Sequence, residues 1–538
     1  MPTIQDQAKL DNATITSGQT CLGLELGSSR IKAVLIDKDC RILASGGADW
    51  ENQLVDGLWT YSLEAVWQGI QAAFADLGQD VTRRYGCTLT AVESLGVSAM
   101  MHGYLAFDSD GQLLTAFRTW RNTNTGPAAA QLSQAFGVNI PLRWSVAHLY
   151  QAIIDHEPNV GSLAFLTTLA GYVHWQLTGE KALGVGDASG MFPVVGQPLG
   201  FDQDLVERFG QLPGVAEMPW RLPEVLPRVL VAGQRAGRLS PKGAKLLDPT
   251  GQLQPGAVCA PPEGDAGTGM VATGTIGLGS GNVSVGTSIF AMVVTDRLPA
   301  NPLPEIDIVA TPDGLPVAMV HCNNGASELD AWASLFAQFA ARLGTQASPK
   351  AIFATLLQAA LEGPADAGHY LAYNHLAGEP ITGTTFGWPV TARLPGGPAD
   401  LTGFARAQVY SIFATLRLGL DLLAEQGIKA SSWLAHGGLF NTPLVAQRLM
   451  AAALGVPITV GQTASKGGAW GMAVLAAFAV ADHHQWSLPD YLADHVFRSA
   501  ELSTVAPELA DSQGFDAFME RYRTGLAIER AIDQLERG

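Results

Sequence analysis

At 538 residues the chain is longer than a single hydrophobic core usually spans, which predicts two or more domains. With 47% hydrophobic and 15% charged residues it can bury large cores, and disorder is excluded. A formal net charge of −17 excludes broad binding to nucleic acid or to an anionic membrane, so an anionic ligand would have to be met locally by backbone N–H groups, a few cations and a metal.

In chain order, residues 1–19 read as a flexible arm. The first twenty residues are polar and carry no apolar core, so no secretory signal is expected. From Cys21 to Ser45 two β-rich runs flank a tight Gly27-Ser28-Ser29 turn. Leu63 to Leu77 has helical spacing. Val92 to Ser98 is a short apolar run that delivers Met100-Met101-His102-Gly103. Ser145 to Ile154 and Gly171 to Leu177 read as helices. Ala257 to Ala260 is a short apolar run between prolines, which places Glu263-Gly264-Asp265 on a strand end or loop. Strands and glycine turns return from Thr268 to Val294, and GNVSVGTSIFAMVV repeats the first hairpin's logic around Gly286-Thr287-Ser288. Leu329 to Leu343, Pro349 to Leu361, Ala405 to Gln426 and Pro443 to Leu454 read as helices. Ala469 to Ala481 is apolar but too short and too glycine-broken to span a bilayer, so a buried helix is predicted. Gln485 to Gly538 reads as a mostly helical tail on the surface. Strands mixed with helices of this length argue for α/β architecture.

Five scattered cysteines show no zinc or redox spacing, as expected of free thiols in a reducing cytoplasm. Tight glycine turns with small hydroxyls make concave sites for anions, which suits the phosphates of a nucleotide. No P-loop and no protein-kinase signature set is present. A carboxylate directly after a glycine, as at Asp265, can approach a ligand closely and accept a hydroxyl proton. The alternative is an ordinary turn aspartate. Lys32, on the strand after the first turn, either supplies positive charge or is a solvated edge lysine.

Six motifs in order carry a family resemblance: the Leu22–Asp37 hairpin, Met101-His102-Gly103, Tyr172 to Gly179, Gly264-Asp265-Ala266-Gly267, Gly286-Thr287-Ser288, and Gly437-Gly438 followed by Gly467-Gly468-Ala469-Trp470-Gly471. The set resembles the FGGY carbohydrate kinases, of the xylulokinase-like and ribulokinase-like kind, over roughly residues 20–480. The resemblance implies two actin-like (ribonuclease H-like) α/β lobes with a cleft between them. They are expected over 20–275, on the sugar and phosphate side, and 276–485, on the nucleotide side, with a helical extension over 486–538. It implies an ATP-dependent cytoplasmic kinase that uses ATP and Mg2+ on a terminal hydroxyl of a small ketose or polyol, a pentulose from the Met-His-Gly motif. No nucleic acid or membrane partner is expected. Family members are often dimers, so a homodimer stays open, although no interface is legible in the sequence.

Residue by residue, the resemblance makes Asp265 the base, in contact with the sugar. Met101, His102, Gly103, Trp120 and Asn122 would line the sugar site. Gly27, Ser28, Ser29, Lys32, Gly286, Thr287 and Ser288 would meet the phosphates, and Gly437, Gly438 and Asn441 the adenosine. Glu25 stands where the family has aspartate and would hold magnesium with Asp265 through water. Asn122 and Asn124 replace the Asp and Arg of a Trp-x-Asp-x-Arg pattern, and His148 stands at the place of a lysine. These departures predict an altered hydroxyl preference in an otherwise intact kinase. Two readings of other classes stay open: a non-catalytic sugar or nucleotide sensor, motivated by these departures, and an actin-like ATPase acting on a protein partner.

Overall fold

The run CLGLELGSSRIKAVLID folds as its pattern predicts: strands Cys21–Leu26 and Arg30–Ile36 pair antiparallel across the Gly27–Ser29 turn. The first strand is buried throughout, so it needs neighbours on both edges and both faces. Its second edge pairs parallel with Ser94–Ala99, which in turn pairs parallel with Val258–Cys259 and Glu263–Gly264. Ile42–Asp49 closes the far edge antiparallel. The structure is a computed structural model that describes residues 4–196, 198–442, 444–461, 467–481, 486–498, 500 and 502–536.

Helices cover both faces of this sheet. Leu63–Tyr85 begins at Ser62, whose hydroxyl accepts from Ala65 N at 3.1 Å, and stops at Gly86 in the left-handed region. Its apolar stripe, Val66, Ile70, Ala73, Phe74 and Leu77, packs into the core formed with Leu22, Leu24 and Ile31. Gly467–Phe478 seats on the opposite face, where Ala469 and Ala473 approach the Cα of Gly23.

The chain divides into two compact units, each an α/β body. The first comprises Met1–Ile276, Ile308–Pro316 and Lys466–Ser499. The second comprises Gly277–Asp307, Val317–Ser465 and Ala500–Gly538. The second unit's sheet runs in the order Ile306–Ala310, Pro316–Cys322, Ile289–Val294, Ser280–Val285, Ser432–His436, Ile458–Gly461, Leu502–Val505. Ser280–Val285 and Ile289–Val294 form the second hairpin, across Gly286–Ser288.

Three expectations are corrected here. Within the supposed flexible arm, Ile4–Thr16 is a helix: Asp11 forms an ion pair with Arg41, Asn12 Nδ2 donates to Tyr85 O at 2.7 Å, and Ile15 is buried. Met1–Thr3 of that arm lie outside the described residues. The lobes are not consecutive, because Lys466–Ser499 belongs to the first unit. The tail is not a surface appendage: Leu509–Glu536 is a helix of the second unit with Phe515, Phe518, Met519 and Tyr522 buried. Of the helix and tail readings, Pro443, Gln485, Ser499, Glu501 and residues 537–538 lie outside the described residues.

Candidate active site

Three parallel strands of the first unit end side by side, and each delivers one motif. Leu26 pairs with Ala99, and Ala99 with Gly264. Past these ends come the Gly27–Ser29 turn, Met101-His102-Gly103 and Asp265. In open α/β sheets the carboxyl ends of strands are where ligands bind, because the following loops converge there. Met100 N donates to Leu26 O at 3.0 Å, and Met101 N donates to Asp265 Oδ1 at 3.2 Å. The three motifs are therefore hydrogen-bonded neighbours.

Asp265 is the first residue of the Asp265–Thr273 helix, just after Gly264. Gly264 cannot carry a side chain, since a Cβ would lie 2.2 Å from Met101 Cγ. Desolvation, and secondarily the charge of Glu25, push the Asp265 carboxyl up to about 6, against the lowering pull of the Met101 and Ala266 N–H groups. Behind it lie two further acids, Asp187 of the Gly186-Asp187-Ala188-Ser189-Gly190 run and Glu263. Asp187 is buried, its Oδ2 accepts from Thr168 Oγ1 at 2.6 Å, and its Oδ1 has no hydrogen-bond partner among the described residues. Burial lifts it to about 7. Glu263 is also buried and raised, by desolvation and by the nearby Asp187; its two oxygens accept from Gly186 N and Asp187 N.

His102 sits at φ 67 and is buried. Desolvation lowers it to about 3, so the ring is neutral. Its Nδ1 lies 3.1 Å from Gly190 O; a carbonyl only accepts, so Nδ1 carries the proton and Nε2 remains as an acceptor. Gly103, at φ 90, is packed so closely that a Cβ would meet Arg118 O at 2.9 Å. Trp120 Nε1 donates to Ser28 Oγ at 3.2 Å, tying the sugar-side tryptophan to the phosphate turn. Trp50 and Tyr61, stacked at 4.0 Å, hold the same turn: Trp50 Nε1 donates to Gly27 O at 2.7 Å and Tyr61 Oη to Ser28 O at 2.5 Å. No local pattern marks these two aromatics, because their partners are backbone atoms far away in sequence.

Four expected roles look different in place. Asn122 is buried, with its amide oxygen on Trp59 N and its amide nitrogen on Trp59 O and Thr119 O, so the side chain clamps backbone and has no donor left for a hydroxyl. Asn124 is exposed. His148 is fully buried and lowered to about 3 by desolvation, so it cannot supply a lysine's charge; neither ring nitrogen has a hydrogen-bond partner among the described residues. Lys32 forms an ion pair with Glu25 at 2.9 Å, which neutralises the charge it was expected to offer phosphate.

Among the described residues no group of three or more His, Cys, Asp or Glu side chains is placed to hold a metal ion. The Glu25–Asp265 pair still fits a hydrated magnesium, which needs only one or two carboxylates. Desolvation raises Asp265 most, and the Glu25 charge, which adds to it, is what a cation would relieve. The longer Glu25 arm is accommodated by Gly468, where a Cβ would lie 2.5 Å from Glu25 Oε1 and 2.8 Å from Thr268 Oγ1.

The second unit repeats the arrangement at its own parallel pair. Ser284 pairs with His436, and their strands end in Gly286-Thr287-Ser288 and Gly437-Gly438. Gly437, at φ 110, lets the chain pass Val285, where a Cβ would meet Val285 O at 2.1 Å. Gly286, Thr287, Gly437, Gly438 and Asn441 are all exposed. Asn323 and Asn324 neither cap the Ser327–Arg342 helix nor stand free. Asn324 binds Ala377 and Glu379, and Asn323 binds Gly378.

Two α/β units, each with a glycine turn at a hairpin and one with a raised carboxylate beside it, define a phosphotransferase-like class of protein. Residues 20–250 match the N-terminal domain, and residues 281–480 the C-terminal domain, of the FGGY family of carbohydrate kinases. The chain belongs to that family, and is a sugar phosphotransferase with two actin-like domains. It is 22% identical to a xylulose kinase of Haemophilus influenzae over 94% of this chain and 99% of the relative. Its fold is similar to that of a xylulose kinase from Rhodospirillum rubrum, with a TM-score of 0.77 at 19% identity over 96% of this chain and 100% of that one. It is also similar to a gluconate kinase from Lactobacillus acidophilus, with a TM-score of 0.75 at 17% identity over 96% and 98%. Kinases of different sugars match equally well, so the fold alone does not select the acceptor. No helix among the described residues is long and apolar enough to cross a membrane.

Proposed function

We propose that the chain transfers the γ-phosphate of ATP to a terminal hydroxyl of a small ketose, a pentulose first, with Asp265 as general base. The observation that supports this is the Met101 N to Asp265 Oδ1 contact, which joins a carboxyl raised to about 6 to the Met-His pair. The acceptor hydroxyl attacks the γ-phosphorus and loses its proton to Asp265. The bond from that phosphorus to the β–γ bridging oxygen breaks, and ADP leaves. Catalysis of this kind is mainly positioning and electrostatics.

In this reading the N–H groups and hydroxyls of Gly27–Ser29 and Gly286–Ser288 meet the phosphates, and Gly437, Gly438 and Asn441 the adenosine. Neutral His102 offers Nε2 to a substrate hydroxyl, which donates to it, and Met101 gives an adaptable apolar wall. Lys32 holds Glu25 in place. Magnesium, held through water by Glu25 and Asp265, would neutralise charge on the transferring phosphate.

The test is ADP release with pentuloses, tetruloses, hexuloses, polyols and gluconate as acceptors. A pentulose should give the highest kcat/KM, and D265N should bind ATP as the wild type does while losing transfer by at least about 10²-fold. ATP turnover indifferent to every sugar, or transfer retained in D265N, overturns the reading.

A further inference from the structure

The three carbonyls of the Gly27–Ser29 turn all face back into the first unit. Gly27 O accepts from Trp50 Nε1 at 2.7 Å, Ser28 O from Tyr61 Oη at 2.5 Å, and Ser29 O from Trp50 N at 3.2 Å. The N–H groups of Ser28 and Ser29 have no hydrogen-bond partner among the described residues, and both serines are exposed. The turn therefore presents donors rather than acceptors, as an anion requires. One group in it can still do either. The Ser28 hydroxyl carries one donor and two acceptor sites, and its proton turns about the C–O bond.

Trp120 decides which. Its Nε1 donates to Ser28 Oγ at 3.2 Å. An indole nitrogen only donates, so it occupies a lone pair and leaves the Ser28 proton to be given outward. The indole is itself held. Asn122 N donates to Thr119 O at 3.1 Å, closing a four-residue turn with Trp120 and Arg121 at its tip. The Asn122 side chain pins the base of that turn to the Leu58–Thr60 strand. Its Oδ1 accepts from Trp59 N at 2.9 Å, and its Nδ2 donates to Trp59 O at 2.8 Å and to Thr119 O at 3.0 Å. Thr119 N also donates to Trp59 O, at 3.1 Å, and the Arg121 guanidinium lies 3.7 Å over the Trp59 ring. Tyr61, two residues past Trp59, is the group that holds Ser28 O, so one clamp sets both aromatic arms. A carboxylate at position 122 could not make this clamp. It would accept from Trp59 N but turn an oxygen toward Trp59 O and Thr119 O, which are acceptors themselves.

We infer that Trp120 is a positioning residue for the phosphate: it holds the Ser28 hydroxyl as a donor, and Asn122 holds Trp120 in place. The inference rests on the phosphate role proposed above for the Gly27–Ser29 turn. It gives Trp120, expected to line the sugar, a task on the phosphate side.

The test is ATP affinity, read by calorimetry, in a double-mutant cycle. S28A should weaken binding by about tenfold, the worth of one hydrogen bond to a charged group, and W120F, which keeps a ring but loses the N–H, by about threefold or more. W120F/S28A should bind no worse than S28A, because both changes remove the same bond. N122D should follow W120F and likewise add nothing to S28A. In sugar-dependent ADP release W120F should lower kcat and leave the sugar KM within about twofold of the wild type, since a mere sugar wall would raise KM instead. Losses that add up in the double variant, an S28A that binds ATP as the wild type does, or a W120F whose sole change is a higher sugar KM overturns the inference and leaves the kinase reading standing. A wild type without ATP affinity overturns both.

Discussion

Asp187 carries a buried carboxyl with a single hydroxyl donor, Thr168, and this sets a sign for the effect of pH on stability. Its folded value of about 7 exceeds the unperturbed 3.8, so between those values the folded chain keeps a proton that the unfolded chain has released. Its contribution is full at the acid end and declines as pH rises through that window; Glu263, also raised by burial, acts in the same direction. D187N removes the titration. At pH 8 the variant should melt higher than the wild type by at least ~2 °C, on a scale of about 2–4 °C per kcal/mol, and at pH 5 the gain should shrink. An unchanged slope of Tm against pH would place the effect elsewhere. Asp265 predicts a kinetic counterpart. A base must be deprotonated to act, so kcat/KM should fall as pH drops through about 6. At this scale the nearness of Met101 to Asp265 follows from two contiguous glycine motifs, each at the end of a strand. The places of Asn122, Lys32 and His148 were not legible, since what they touch is decided by Trp59, Glu25 and the core around Tyr104.

The Gly467–Phe478 helix joins core packing to the site. Its body lies on the Cys21–Leu26 strand, and its first turn faces Glu25. At Gly23 an added Cβ would lie 2.1 Å from Ala469 O and 2.5 Å from Ala473 N. Both are backbone atoms, so nothing can rotate away and the helix must shift. Overpacking of this kind costs about 1–3 kcal/mol or more. G23A should therefore lower Tm and also reduce sugar-dependent ADP release, because the shift carries Gly468 away from Glu25. A variant that melts earlier but keeps full activity would show that the helix does not position Glu25. The sequence placed this helix within a few residues, since a glycine-flanked apolar run has few other uses. The Ile4–Thr16 helix escaped notice because its anchors, Arg41 and Tyr85, are distant in sequence and its own pattern is polar.

The α/β class was legible for the whole chain, because strand runs and helical runs keep distinct periods. The chain path was not. A segment's own pattern says that it needs a partner but not which one, so residues 466–485 read as the end of the second lobe and 486–499 as the start of the extension, although Lys466–Ser499 completes the first unit. The closing helix Leu509–Glu536 gives this its sharpest test. It brings Phe515, Phe518, Met519 and Tyr522 into the core of the second unit, with Tyr522 Oη 2.9 Å from Thr415 Oγ1 and Glu529 Oε2 3.1 Å from His375 Nδ1. Asp533 Oδ1 accepts from Thr385 N and Phe386 N at 2.7 Å each. Four large side chains at about 1.5–3 kcal/mol each come to roughly 6–12 kcal/mol, comparable to the whole stability of a domain at about 5–15 kcal/mol. A chain ended after residue 508 should therefore lose the second unit's fold, whereas the first unit keeps every segment it is made of. Hydrogen exchange read by mass spectrometry should show Leu401–Glu425 and Val445–Leu454 exchanging rapidly, with protection retained in Cys21–Ile36 and Gly467–Phe478. Unchanged protection in Leu401–Glu425 would mean that the second unit stands without its last helix, and that burial of those four side chains is not what holds it.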